Sequence, residues 1–447
     1  MSTSIEVTES NSLLNDDKKK TMGGRALGDF LTTSFCFAGV RSSSMLGLFY
    51  ASSTFNIDLG SASLSAYYWW FSLTCLLISA PMVEWMGSTK ALVLSQTTMT
   101  LYLLSYMLGC VGSIKDSEDA EWTIVVLGSC IGGFSSGLGW TAQGVYFALS
   151  AKQHAEETGV DDSEANDLFA GYWACIYFGG QFALYIIASL LFEFTHFSYF
   201  YCYMALTIGA ATATSITYFV VKAPDGEAAM MEGAKDRSVV ERAFATIRLS
   251  FVNPTAVLLQ PLNIAYGFAL VFLQVVVAEK VVDDHLGTFA VGYMGALQSG
   301  TVMSLSVPFA WLATRQGKVS VLLLGTAAST IIAGTFLLWN TREAGHWHTV
   351  VPIFFLYGVS RTQWESTNKA IFADFFVGND RPPAFASLNF VRSVSAAILS
   401  LVVSQENPVR VVSCAITLLV PVVLQVPGFL AAKNRLFGSD GIPESRG

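Results

Sequence analysis

The sequence predicts an all-α polytopic membrane protein whose twelve transmembrane helices form two pseudo-symmetric six-helix bundles. Three observations predict it. Twelve stretches are almost wholly apolar or small, and each approaches the roughly 20 residues that a helix rising about 1.5 Å per residue needs to cross a bilayer. The chain is 53% hydrophobic and only 13% charged, whereas soluble domains carry about 25% charged residues. Short sequence echoes also recur in the same order in the two halves.

The stretches cover 27–52, 61–83, 89–112, 122–150, 168–192 and 197–221, then 255–278, 288–313, 318–339, 350–376, 384–404 and 408–432. Residues 1–26 read as a disordered polar tail without a cleavable signal, which leaves the first span to direct insertion. The N-terminal bundle is 27–221 and the C-terminal bundle 255–432, with 433–447 a second tail. Between the bundles, 222–254 is a polar linker. Within it Val240, Phe244, Ile247 and Phe251 recur at helical spacing, with Arg242 and Arg248 elsewhere around the turn. That pattern predicts an amphipathic helix on the membrane surface.

An even number of spans puts both ends on one side. Lys18, Lys19, Lys20, Lys90, Lys222, Arg242, Arg248, Arg315, Lys318 and Arg381 share that side, against Lys115, Lys280, Arg342 and Arg410 opposite. Both termini are therefore expected in the cytoplasm.

Leu59-Gly60 and Pro81 bracket the second stretch as Leu286-Gly287 and Pro308 bracket the eighth. Trp140-Thr141-Ala142-Gln143 is echoed by Trp364-Glu365-Ser366-Thr367, and Phe169-Ala170-Gly171 by Phe385-Ala386-Ser387. Parallel halves related by an axis along the membrane normal account for such echoes.

Four segments carry a family resemblance: 56–64 at the entry to the second span; Gly139-Trp140-Thr141-Ala142-Gln143-Gly144; 169–173 leading to Phe178-Gly179-Gly180; and Pro383-Ala384-Phe385-Ala386 with Asn389-Phe390-Val391-Arg392-Ser393. On these the chain resembles the uncoordinated-ninety-three-like family, a divergent branch of the major facilitator superfamily, over nearly all the sequence after Gly24. The resemblance implies the major facilitator fold. It leaves function open, because the family includes members that look like transporters, ion-channel regulatory subunits and trafficking chaperones. Spans one, four, seven and ten usually line the cavity in this superfamily, which nominates Arg41, Gln143, Tyr146, Gln274 and Arg361. The superfamily's gating loop, Gly-x-x-x-Asp-x-x-Gly-Arg, is reduced here to Glu84, Gly87 and Lys90. Its second-half counterpart keeps Arg315, Gly317 and Lys318. Both reductions weigh against ordinary alternating access.

Ionisable groups at bilayer depth are costly and mark function or pairing. Arg361, Glu365 and Lys369 follow at i, i+4 and i+8, hence on one helix face. Glu365 lies about 22 Å from the outer end of its span and Arg392 about 12 Å from the cytoplasmic end of the next, similar depths in a core roughly 30 Å thick. A Glu365–Arg392 ion pair is expected, completed by Arg361 or Lys369. It reads either as a structural brace or as a substrate or proton site. Arg41 has no acid nearby in sequence, and an unpaired central guanidinium suits an anionic solute.

Glu9, Leu13 and Leu14 fit an acidic dileucine sorting pattern, which would send the protein to a vacuole, lysosome or endosome instead of the plasma membrane. The acidic stretch 156–167 reads as a solvated connector. His346 and His348 read as interfacial anchors, and no metal cluster or cofactor motif is present in the sequence. Nucleophile elbows and phosphate loops are absent, and the net charge of −8 argues against a nucleic-acid partner. The sequence therefore points to a non-enzyme in a lipid bilayer that moves a small solute or ion by alternating access. The alternative is a non-transporting protein that regulates a channel or escorts another membrane protein.

Overall fold

The computed structural model describes residues 3–55, 57–195, 198–235, 238–339, 341–403 and 410–438, with the side chains of the first 23 residues outside that description. Glu9, Leu13 and Leu14 fall in that stretch. Helix α1 (Thr3–Phe49) takes in most of the expected tail, where no proline or glycine interrupts the chain before Gly23. Then come α2 (Ile57–Leu77), α3 (Ser79–Met86), α4 (Ser88–Gly109), α5 (Glu118–Thr158), α6 (Asp162–Thr195) and α7 (Tyr199–Val220). Two linker helices follow, α8 (Glu227–Ala234) and α9 (Val239–Phe251). The remainder is α10 (Pro254–Val271), α11 (Thr288–Gln316), α12 (Lys318–Leu338), α13 (Trp347–Thr362), α14 (Asn368–Phe375), α15 (Arg381–Val403) and α16 (Arg410–Phe437). Wide-turn π segments continue α10 over Phe272–Asp283 and join α13 to α14 over Gln363–Thr367.

Among the described residues, each stretch expected to cross the membrane is helical over most of its length. Seven described helices are long and apolar enough to do so by themselves, and the pair α2–α3, bent by 56° where they meet, makes an eighth. Of the rest, α13 has only 16 residues before the π segment, and polar residues interrupt α1 at Arg41, Ser42, Ser43 and Ser44 and α15 at Asn389, Arg392 and Ser393.

Before residue 222, α4 and α2 pack on α5, and α1 packs on α6 and α7. After 254, α10 packs on α15 and α16, and α13 on α11 and α12. The two groups meet chiefly where α6 lies along α11 and where α2 lies along α15. Small residues permit the close crossings. A Cβ at Gly133 of α5 would sit 2.3 Å from the Tyr67 carbonyl oxygen and 2.9 Å from the Phe71 nitrogen of α2. Backbone cannot yield as a side-chain tip can. Gly133→Ala should lower the thermal midpoint, at a cost of about 2–3 kcal/mol; an unchanged midpoint would mean the helices slide apart freely.

The linker helices pack at one end of the molecule, hereafter the linker end. Helix α9 opens on a capping box: Ser238 Oγ accepts from the Glu241 nitrogen at 3.1 Å, and the Ser238 nitrogen donates to Glu241 Oε2 at 2.7 Å. One face buries Thr246, Leu249 and Ser250 against its neighbours, while Val240, Phe244 and Phe251 are exposed. Asn253 caps α10, its Oδ1 accepting from the Thr255 and Ala256 nitrogens, with Pro254 in the first helical position.

Gly87 and Gly317 hold nearly the same backbone conformation, φ 84° with ψ 159° and φ 82° with ψ 155°, each immediately before a helix. Positive φ there suits glycine. Gly60 and Gly287, by contrast, are not equivalent in structure: Gly60 lies inside α2, whereas Gly287 precedes α11 at φ 91°.

Candidate functional site

An interior cavity lies where helices from both sides of the linker meet. Met45 of α1, Tyr67, Tyr68 and Phe71 of α2, Trp140 of α5 and Tyr177 of α6 line one side. Tyr266 and Leu270 of α10, Gln274 in the π segment beyond it, Arg361 and Glu365, and Arg392, Ser393 and Ala396 of α15 line the other. Its volume is about 30 Å³, room for two or three water molecules at about 10–15 Å³ each by this measure.

Glu365 stands at the centre of the charges. Its Oε1 accepts a hydrogen bond from the Tyr266 hydroxyl and lies 3.8 Å from Arg392 Nη1. Its Oε2 lies 3.6 Å from Lys369 Nζ, one turn along the same helix. Glu365 and Lys369 are nearly inaccessible, and so is Arg392. The bases also rest on aromatic faces, whose π electrons attract cations. Lys369 Nζ is 4.6 Å from the Trp140 ring centre and 4.5 Å from that of Trp173. The Arg392 guanidinium is 5.0 Å from Trp140 and 5.1 Å from Tyr266. Lys369 also donates to Gln143 Oε1 at 3.4 Å, so Gln143 of α5 touches the charged cluster from the opposite side of the molecule. Glu365 lies within the π segment Gln363–Thr367, an irregularity that recurs at functional sites.

Arg361 faces the same cavity. Its Nη1 donates to Gln298 Oε1 at 3.0 Å, and its guanidinium lies 4.7 Å from the Phe178 ring centre. Its Nε has no hydrogen-bond partner among the described residues.

Three residues expected to line the cavity lie outside its walls: Gln143, which reaches the charged cluster through Lys369, and Arg41 and Tyr146. Arg41 is fully buried inside the helices before the linker. Nη1 donates to Ser136 Oγ at 2.9 Å, while Nη2 donates to Ser95 Oγ and the Ser135 carbonyl, both at 2.7 Å. Tyr67, bonded to Ser136, stands next to the cavity in its place. The serine-rich faces of α4 and α5 draw the guanidinium away from the centre, because neutral oxygens can satisfy it there. Arg41→Gln is accordingly expected to loosen α1 against α5 and lower thermal stability by about 1–3 kcal/mol, not to spare the fold. Tyr146 sits at the linker end. It accepts from Thr33 at 3.0 Å and donates to the Lys222 carbonyl at 3.2 Å, in a polar pocket shared with Asp29, Gln153 and Asp225.

The reduced gating loops have found other partners. Glu84 Oε2 lies 3.7 Å from Arg242 Nε of α9. Beside Gly87, Glu227 of α8 accepts from Ser88 Oγ at 2.8 Å and from Thr89 Oγ1 at 3.0 Å, an acid placed at the start of α4. A Cβ on Gly87 would fall 2.0 Å from Glu227 Oε1. In the second loop Lys318 Nζ lies 3.0 Å from Asp167 Oδ1 of α6 and 2.7 Å from Asp374 Oδ2 of α14. Ser163 and Asn166 of α6 also donate to Asp374. The end of the acidic stretch 156–167 is thus a buried anchor, since Asp167 is only 4% exposed, and not a solvated connector throughout. Arg315 stacks on Trp311 instead of joining this cluster.

Solved structures of similar shape are transporters by description. The proton:xylose symporter XylE bound to 6-bromo-6-deoxy-D-glucose superposes with a TM-score of 0.67 over 94% of this chain and 96% of that one, at 12% identity. A bacterial homologue of the iron transporter ferroportin, in an outward-facing state with soaked iron, gives 0.66 over 91% and 98%, at 14% identity. Among curated proteins, UNC93-like protein 3 of Arabidopsis thaliana is 24% identical over 356 residues, 77% of this chain and 74% of its own. Protein unc-93 homolog A of Homo sapiens is 22% identical over 363 residues, 74% and 76%. With residues 30–400 matching the sequence profile of the Major Facilitator Superfamily, the chain belongs to that superfamily as a multi-pass integral membrane protein, and is UNC93-like within it.

Proposed function

We propose that this protein is a membrane transporter that carries a small solute by alternating access, through twelve spanning helices in two six-helix halves. The observation that carries the reading is the charged cavity lined from α1, α2, α5 and α6 before the linker and from α10, the α13–α14 helix and α15 after it. A structural brace needs no such shared space. Lys318, Asp167 and Asp374 hold α6, α12 and α14 together at the linker end, which supports a state closed on that side, the cytoplasmic side if the basic loops set the orientation. The small volume then belongs to a closed conformation, and rocking of the halves would enlarge it.

A disulfide that pins the linker end tests this reading. In a background lacking the native cysteines, Ser163→Cys and Asp374→Cys put two thiols at the seam where Ser163 Oγ lies 2.9 Å from Asp374 Oδ2, and a non-reducing gel reads whether they cross-link. Oxidation should stop uptake of a saturably transported solute into liposomes, and reductant should restore it. Uptake that continues through the closed cross-link would refute alternating access.

The narrowness of the cavity favours a second reading, that of a non-transporting partner which regulates a channel or escorts another membrane protein. Folded protein that takes up nothing across a broad panel of labelled solutes would support it. A vacuolar or lysosomal destination rests on Glu9, Leu13 and Leu14 alone. Leu13→Ala with Leu14→Ala should move a tagged protein to the cell surface.

A further inference from the structure

We propose that the cavity selects a small carboxylate anion, gripped by the guanidinium groups of Arg361 and Arg392; this rests on the transport reading and names its substrate class. The charges are unequal. At the depth of the cavity the described residues supply Arg361, Lys369 and Arg392 as bases, with Arg41 behind Tyr67, and Glu365 as the acid. Glu365 is already paired: Oε1 is held by Tyr266 and Arg392, and Oε2 lies 3.6 Å from Lys369 Nζ, though without a hydrogen bond among the described residues. No carboxylate lies within ion-pair distance of Arg361 or Arg41 among the described residues. They are satisfied by neutral oxygens and ring faces, and the Nε of each is buried without a hydrogen bond.

Such an interior is already polarised for negative charge before any solute arrives. A cation would add a further positive charge to the cluster, and a neutral polyol would leave the excess uncompensated. An anion relieves it, in a low-dielectric site where the attraction is strong. Chemistry narrows the anion further. Guanidinium is a planar fork that matches the two oxygens of a carboxylate, whereas a spherical halide gains nothing from the fork. Tyr68, Tyr177 and Tyr266 in the lining offer aromatic surface for a short apolar body beside that head group.

The test is thermal stabilisation of the purified full chain in detergent by lactate, benzoate, chloride, phosphate, xylose and choline. Lactate and benzoate should raise the midpoint by several degrees at saturation, and chloride, phosphate, xylose and choline should not. Arg361→Lys keeps the charge but removes the fork, and should weaken carboxylate binding about tenfold while the variant stays folded. Arg392→Lys likewise keeps the charge and removes the fork; it is the second variant should Arg361→Lys fail to fold, and should weaken carboxylate binding to a similar degree. Stabilisation by xylose or choline in place of carboxylates, by inorganic anions alone, or by none of the probes would overturn the assignment. So would carboxylate binding that Arg361→Lys leaves unchanged. Liposome uptake separates the two readings. Carboxylate binding without uptake removes the transport reading and leaves a carboxylate-binding site, whereas uptake of a neutral or cationic solute keeps transport and removes this substrate class.

Discussion

Replacing Glu365 with glutamine is expected to cost about 3–5 kcal/mol of stability, the usual penalty for removing one partner from a buried ion pair. Lys369 and Arg392 lie 3.6 Å and 3.8 Å from its oxygens and are themselves buried. Glutamine preserves the shape but strands both cations with no acid in reach among the described residues. The aromatic faces of Trp140, Trp173 and Tyr266 soften the loss without cancelling it, since each cation–π contact contributes about 0.5–2 kcal/mol. Adding Lys369→Met to Glu365→Gln should recover part of the loss by removing one stranded charge. The coupling between the two sites should exceed about 0.5 kcal/mol in a double-mutant cycle. Thermal unfolding of the four proteins measures it. A glutamine variant as stable as the parent would show that the bases are held by something other than Glu365.

Replacing Lys318 with methionine should produce a loss of similar size, about 3–5 kcal/mol, but localised at the linker end. Asp167 and Asp374 both face the ammonium, at 3.0 Å and 2.7 Å, and would be left as neighbouring carboxylates, one buried and one half-buried. Because the cluster joins α6 to α12 and α14, the expected signature is faster amide exchange at the start of α6 and the end of α14. The helices around Arg41 should keep their protection. The neutral triple variant, with Asp167→Asn and Asp374→Asn added, should regain much of the lost stability. Unchanged exchange at these ends in the single variant would remove the cluster's role as a lock.

Much of the fold was legible because the bilayer demands one kind of element, and long apolar stretches announce it. Rise per residue put Glu365 and Arg392 at one depth, and the structure has them 3.8 Å apart. Helical spacing likewise marked Val240, Phe244, Ile247 and Phe251; three of these are exposed on α9, and Ile247 is half-buried. Sequence could not show which neutral groups would gather around a charge. Arg41 looked unpaired because its partners, Ser95, Ser135 and Ser136, come from two other helices and are unremarkable in a sequence rich in serine. Lys318 found Asp167 and Asp374 across distant segments, and Tyr266 found Glu365, by tertiary packing alone. The sequence echoes misled at Gly60 and Gly287, where equal spelling conceals different backbone conformations.

The π segment Gln363–Thr367 places Glu365 on a turn holding one residue more than an α-helix would accommodate. Such a surplus can migrate along a helix by passing hydrogen bonds from one carbonyl to the next. If it moved toward Asn368, Glu365 would swivel about the axis relative to Arg361 while the ends of the helix stayed in place. A small registry slip could thereby trade one set of neighbours around the carboxylate for another, without requiring the whole rod to travel.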